Sequence, residues 1–332
     1  MKRVIAEFEE QSFTQIIFPH KNTDWAPYLQ EAQECFISII NAIAQFQKCL
    51  VVCANTQEVQ SLFQKNENIV FVEYETDDTW ARDISALSVC EDGNVVLYDF
   101  TFNAWGDKFQ ASKDNLLTQT LQHCYSAPLK SIDFVLEGGG IESNGEDTLL
   151  TTSACLFNKN RNTTLTQEQR TRKLKEYFGL TNVIYLHHGY LAGDDTDSHI
   201  DTLARFISHD TIMYISCTNT QDQHYKELKA MEEELNSLAQ AHNYKLIALP
   251  MPSACYYNNE RLPATYANFL FVNGGVLVPV YGVQEDAQAL AIFEKTFPTR
   301  KIVAIDCSVL IRQHGSLHCV TMQFPKDVTL RV

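Results

Sequence analysis

Apolar residues along the chain fall into two alternating rhythms. Short apolar or alternating runs bounded by Gly, Asn and Asp predict strands. Longer stretches with apolar residues every third or fourth position predict helices. Thr148–Thr152 reads as a strand, 167–178 as a helix and Asn182–Leu186 as a strand. That helix carries its own punctuation, with Thr166 and Gln169 as a capping box and Gly179 as the stop. The order then repeats. Strands at 202–207 and 211–216 precede a helix from Asp222 to His242 and a strand at 245–249. Strands at 269–272 and 276–280 precede a helix at 285–296 and a strand at 301–305. Upstream, 88–100 reads as a hairpin turning at 91–94, 112–125 as a helical segment and 132–136 as a strand. The first part fits more loosely, as strand 14–18, helix 27–46, strand 49–53, helix 56–64 and strand 69–74. The chain is therefore expected to be α/β, with about five copies of a strand-pair, helix, strand unit spaced by roughly 55–65 residues.

Composition narrows this picture. The 332 residues are 45% hydrophobic, and no Pro/Ser-rich linker or low-complexity tract divides them, so 1–332 is expected to form a single domain. No apolar run is long enough to span a bilayer, and the first ten residues lack a signal peptide's apolar core and cleavage site. Ten cysteines without a CxxC pair argue against structural zinc and a disulfide framework. A cytoplasmic setting is expected. The formal charge of -15 disfavours nucleic acid and anionic lipid as partners and favours a small cation.

The polar motifs fall at junctions between units. Asp83 in Trp80-Ala81-Arg82-Asp83 precedes the second unit, and Glu137 in Leu136-Glu137-Gly138-Gly139 follows that unit's last strand. His199 and Asp201 open the fourth unit, and Cys319 follows the fifth, behind a small turn at Gly315. If the units surround an axis, these residues converge. A thiol with a histidine and several carboxylates suggests covalent catalysis. One carboxylate is enough to orient a histidine, so three acidic groups are a surplus. A guanidinium substrate explains it, because carboxylates grip that planar cation bidentately and place its carbon against a thiolate. His199 and Asp201, two residues apart, would share one side of a strand. The same spacing suits metal ligands, but a metal site gives no role to Cys319 or to Gly138-Gly139. Each residue also has a simpler reading: Cys319 as a core thiol, Asp83 paired with Arg82, Trp80 as core, Glu137 capping the glycine turn and His199 in a solvated acidic loop. His318 reads as a solvated loop residue.

Taken together, the motifs resemble those of the agmatine deiminases, within the guanidino-group-modifying (pentein) superfamily that includes bacterial peptidylarginine deiminases. The resemblance spans nearly the whole chain. It includes Asp77–Asp83, Phe102-Asn103-Ala104-Trp105-Gly106, Leu136–Gly139, Leu156–Asn162, Asp194–Asp201, Leu262–Phe269 and His318-Cys319-Val320-Thr321. It implies a five-bladed α/β propeller with pseudo-fivefold symmetry. It also implies hydrolysis of agmatine to N-carbamoylputrescine and ammonia, without metal or organic cofactor, on a route to putrescine. By the same resemblance Cys319 is the nucleophile, Asp83 and Asp201 hold guanidinium nitrogens, and His199 is the acid and then the base. Glu137 hydrogen-bonds and orients His199, Trp80 packs beside the substrate, and the turn at Gly315 gives access to Cys319. Such a nucleophile is expected to have a depressed pKa and to alkylate faster than the other nine cysteines. A homo-oligomer is also implied, though no interface patch is legible. The alternatives are a deiminase of free or peptidyl arginine or of another guanidine, transfer of the amidino group to an amine, and a non-catalytic guanidine-binding protein. Three departures alter loops and leave the catalytic groups intact: Ser85-Ala86 in place of Gly-Pro, Ser198 in place of Gly before His199, and a reduced glycine turn at 313–317.

Overall fold

A computed structural model describes residues 2–332. Five small sheets share one pattern: an antiparallel pair, then a third strand added in parallel after a crossover. Ile141–Ser143 and Thr148–Thr152 are joined by Asn182–Leu186, and Ala204–Ser208 and Thr211–Ser216 by Lys245–Pro250. Leu270–Val272 and Gly275–Val280 are joined by Lys301–Asp306, and Leu87–Glu91 and Asn94–Thr101 by Leu129–Val135. The fifth sheet explains the loose fit of the first segment. Gln11–Ile17, Lys48–Cys53 and Ile69–Glu73 are parallel, and their antiparallel partner is the distant strand Thr321–Pro325. Lys2–Val4 likewise borders Leu87–Glu91. None of these sheets closes on itself among the described residues.

The helices Leu29–Ile43, Gln167–Phe178, Tyr225–His242 and Glu285–Thr296 supply the crossovers. Ala32, Cys35, Phe36, Ile39, Ile40 and Ile43 give the first a buried stripe at helical spacing. Each helix packs on the third strand of its own sheet and on a strand of the preceding unit. Thus Tyr225–His242 touches Lys245–Pro250 and Asn182–Leu186, and Leu29–Ile43 touches Lys48–Cys53 and Lys301–Asp306. The units are therefore welded in sequence, the first against the fifth.

Most predicted elements appear, and the misses have local causes. In 112–125 only Leu117–Leu121 is α-helical. The side chains of Asp114 and Asn115 are committed instead to the backbone N–H groups of Asp77, Asp78 and Phe102. The helix expected from Asp222 begins at Tyr225, because the Asp222 carboxylate accepts from the His224 N–H and from Arg261. The hairpin turns on Asp92 and Gly93, with φ of 50° and 87°, as a two-residue connection of the primed type requires. No helix among the described residues is long and apolar enough to cross a membrane.

Candidate active site

The polar junctions converge around Gly139. Asp83 lies in the short turn Ala81–Ile84, which is pinned to the nucleophile segment by the Arg82 N–H donating to the Cys319 carbonyl at 3.1 Å. Asp83 is buried, and each of its oxygens accepts one N–H: Oδ1 from Gly139 at 2.9 Å and Oδ2 from the Trp105 indole at 2.9 Å. A Cβ on Gly139 would lie 2.6 Å from His199 Nδ1, 2.9 Å from Asp83 Oδ1 and 3.1 Å from Asp201 Oδ2. Only a hydrogen there lets three functional groups meet. Gly315 is required for a similar reason, since its Cβ would stand 2.1 Å from Cζ3 of Trp80.

His199 and Asp201 are not on a strand. His199 caps a 3₁₀ turn at Ile200–Thr202 and Asp201 lies within it, the turn being entered through Asp197 and Ser198 at φ of 69° and 63°. Ser198 is thus a non-glycine residue in a left-handed conformation, where the resemblance expects glycine. Ser198→Gly should therefore raise stability by about 0.5–1 kcal/mol, the strain relieved less glycine's unfolded-state entropy. A urea-unfolding midpoint that falls or stays unchanged would contradict this.

The two aspartates differ in charge preference. Burial, with the charges of Asp201 and Glu137, pushes the Asp83 carboxyl up, against the pull of His199 and the Trp105 N–H. Burial pushes Asp201 the same way, but the hydrogen bond with His318 and the charges of His318, His199 and Arg205 together hold Asp201 below the usual range. Asp201 Oδ1 is buried without a hydrogen-bond partner in the protein, as is His199 Nε2. Burial lowers the His199 pKa, yet Asp83, Cys155 and Glu137 around it raise it well above the ordinary value. Its Nδ1 is 3.7 Å from Asp83 Oδ1. Glu137 lies close to His199, but its hydrogen bonds go elsewhere: both oxygens accept from Arg161 Nε, at 2.8 and 3.0 Å. Glu137, Cys155 and His199 bring ligand-type atoms within 4.8 Å of one another. The Arg161 guanidinium on that carboxylate opposes a cation there.

Cys319 is buried. Asn268 Nδ2 lies 3.3 Å from its Sγ and Asp201 Oδ2 lies 3.7 Å away. The expectation of a depressed thiol pKa is overturned, since burial and the charges of Asp201 and Asp83 push it well above the ordinary value. His318 is corrected as well. It is 1% exposed, with Nδ1 2.7 Å from Asp201 Oδ2 and Nε2 2.6 Å from Glu7 Oε2. Glu7 Oε2 also accepts from Arg205 at 2.9 Å and Arg82 at 3.3 Å. Arg82 therefore pairs with Glu7 and not with Asp83.

Cys319, Asp83, Trp80 and Gly315 line one cavity of about 140 Å³. Trp105 and Asn268, assigned no role from sequence, touch Asp83 and Cys319, and both lie inside the motifs already singled out. Asp24, Asp78 and Asp195 line the cavity too, and no Lys or Arg does among the described residues. Burial, with the charges of Asp24 and Asp195, lifts the Asp78 carboxyl to about 7. Burial and Asp194 lift Asp195 to about 6, against His314 and Lys108. These are acidic groups short of a counter-cation. A larger cleft, of about 310 Å³, lies between Ser216–Asn219 and Pro250–Ser253 and holds none of the motif residues.

The sequence profile of the Porphyromonas-type peptidyl-arginine deiminases matches residues 3–325. The chain belongs to that family. Among its relatives, agmatine deiminase of Pseudomonas aeruginosa is 31% identical over 97% of this chain and 95% of its own. Two solved family structures superpose over nearly the whole chain. One is a Cys→Ser variant of the C. jejuni agmatine deiminase with substrate bound, 41% identical, with a TM-score of 0.94 over 98% of this chain and 97% of that one. The other is the putative arginine deiminase of Porphyromonas gingivalis, 44% identical, with a TM-score of 0.95 over 99% and 100%. The α/β architecture is thus that of solved deiminases of this family.

Proposed function

We propose that the protein hydrolyses agmatine to N-carbamoylputrescine and ammonia, in putrescine formation, through a covalent thiouronium on Cys319. The observation that carries this reading is a small cavity lined by the thiol and by several carboxylates, with no Lys or Arg among its described lining residues. Asp83 lines it with the thiol, and Asp201, 3.7 Å from Sγ, has Oδ1 as a buried acceptor without a partner. Asp24, Asp78 and Asp195 line the rest. A dication with a guanidinium at one end and an ammonium at the other satisfies both sets. Free arginine would bring its α-carboxylate among these acids, where no Lys or Arg of the cavity lining receives it.

In this reading the guanidinium docks between Asp83 and Asp201 and cancels the charges that keep the thiol protonated. The Cys319 thiol then gives up its proton to solvent, and the thiolate attacks the guanidinium carbon, forming a C–S bond as a C–N double bond opens onto nitrogen. His199, which holds its proton strongly, delivers it to the departing nitrogen as the C–N bond breaks. The now neutral imidazole takes a proton from water as the water attacks the thiouronium carbon. The C–S bond then breaks as the remaining O–H proton passes to the leaving sulfur, which releases the ureido product and restores the thiol. Glu137, backed by Arg161, sustains the charge on His199 from nearby, and Trp80 forms the wall beside the guanidinium. Agmatine is expected to exceed free arginine in kcat/KM by at least about a hundredfold, since one buried like-charge contact is worth several kcal/mol. Equal kcat/KM values in steady-state assays would overturn the substrate assignment.

The helix contacts that join the third, fourth and fifth units each to the one before, and the first to the fifth, support arranging the five sheets as blades of an α/β propeller with pseudo-fivefold symmetry. In that arrangement 1–332 forms one catalytic domain. Ten cysteines without disulfides fit a reducing compartment such as the cytoplasm.

A further inference from the structure

One backbone segment beside the cavity is held in an unusual conformation. Ala104, Trp105, Gly106 and Asp107 have φ of 51°, 54°, 93° and 63°. This is a full left-handed turn, and three of its four residues are not glycine, for which that region is unfavourable. Such strain persists only where surrounding contacts over-determine it. Here they do. Asn103 Oδ1 accepts the Gly106 N–H at 3.0 Å, and Asn160 Nδ2 donates to the Gly106 carbonyl at 3.0 Å. Asn103 Nδ2 donates in turn to the Asn160 carbonyl at 2.9 Å. Lys108 reaches Asp197 Oδ1 at 3.0 Å, so the turn is also tied to the loop that carries His199. The product of this bracing is the placement of one ring. Trp105 is buried, edge-on to Phe102 and Phe109, with its indole N–H on Asp83 Oδ2.

We propose that Trp105 is a positioning residue for Asp83: the left-handed turn aims its indole N–H at Oδ2 and so holds the carboxylate in the orientation that grips the guanidinium. The proposal rests on the reading that Asp83 binds guanidinium. Two fixed donors, Gly139 N–H and Trp105 N–H, occupy one direction on each oxygen. The other directions remain for the substrate. The donors also offset the unfavourable surroundings of the carboxylate. Burial, Asp201 and Glu137 disfavour the Asp83 charge, and His199 is the cationic group that favours it. Without the indole donor, Asp83 takes up a proton at higher pH and turns away from the substrate. A ring that merely walls the cavity would have neither effect.

The test is calorimetric binding of agmatine and of n-butylguanidine to the Cys319→Ser protein, which needs no turnover, between about pH 5 and pH 9. Trp105→Phe keeps the ring without the N–H. It should weaken binding of both ligands about tenfold at neutral pH and move the acid limb of binding up by about one unit. Trp105→His, which restores a ring N–H, should recover much of that shift. An unmoved acid limb in a folded Trp105→Phe protein overturns the proposal. If the Cys319→Ser protein binds neither guanidine at any pH, the Asp83 reading itself fails, and this inference with it. A second measurement leaves the tryptophans intact. The chain has three of them, so three indole N–H resonances are expected. Asp83→Asn should move one of these upfield, as a neutral acceptor replaces a carboxylate. Three unmoved resonances would overturn the proposal even if Trp105→Phe does not fold.

Discussion

Cys319→Ser is expected to lower kcat on agmatine by at least about 10⁴-fold, the scale of losing a nucleophile. Its Kd for agmatine should change by no more than a few-fold. The thiol sits beside Asp201 and Asn268 and carries none of the charge that grips the substrate. A serine hydroxyl fits the same space but is a far weaker nucleophile without a strong adjacent base, and His199 is held protonated in the resting site. Single-turnover assays with excess enzyme separate this from slow product release. Equal activity in the serine variant would remove Cys319 from the chemistry. Loss of binding together with turnover in a folded variant would count against Asp83 and Asp201 as the groups that grip the guanidinium.

Asp83→Asn is expected to act in opposite directions on turnover and on thiol reactivity. Its kcat/KM should fall about a thousandfold, because two charge-assisted hydrogen bonds to the guanidinium are weakened in both ground and transition states. KM should rise as kcat falls. Cys319 should meanwhile become easier to ionise. Asp83 is one of the two carboxylates whose charge raises the thiol pKa, so removing that charge lowers it. At about pH 8, iodoacetamide should modify Cys319 roughly tenfold faster in the variant than in the native protein. In the native protein the reaction should be slow at neutral pH and should accelerate as pH rises. A native Cys319 that alkylates fastest of the ten near neutrality would contradict the electrostatics of the site. An unchanged kcat/KM in Asp83→Asn would remove that residue from substrate binding.

The parts of the molecule legible in sequence were those with local signatures. Thr166, Gln169 and Gly179 mark both ends of their helix because capping is decided within a few residues. The recurring units were visible because each crossover helix carries an apolar stripe. What sequence could not show depends on pairing at a distance. Thr321–Pro325 completes the first sheet from the far end of the chain, and no pattern in either strand names its partner. Glu7 and His318 meet across 311 positions, so the ion network beneath Asp201 had no local trace. His318 was misread for that reason, since a histidine is ordinarily placed by what surrounds it. The glycines of 138–140 and Gly315 were visible as small residues, but their purpose is steric. They give way to His199, Asp83 and Trp80, whose approach only the folded chain reveals. Cys319 was expected to be acidic on chemical grounds. Burial and two neighbouring carboxylates reverse that expectation, and a cationic substrate would offset the carboxylates' share.

The most direct measurement is product analysis with the purified, chelator-treated protein offered agmatine, free arginine and a blocked arginine peptide in parallel. The account predicts N-carbamoylputrescine and ammonia in equal amounts from agmatine, with little or no product from the other two. Ureido product from arginine or the peptide while agmatine remains intact would contradict it.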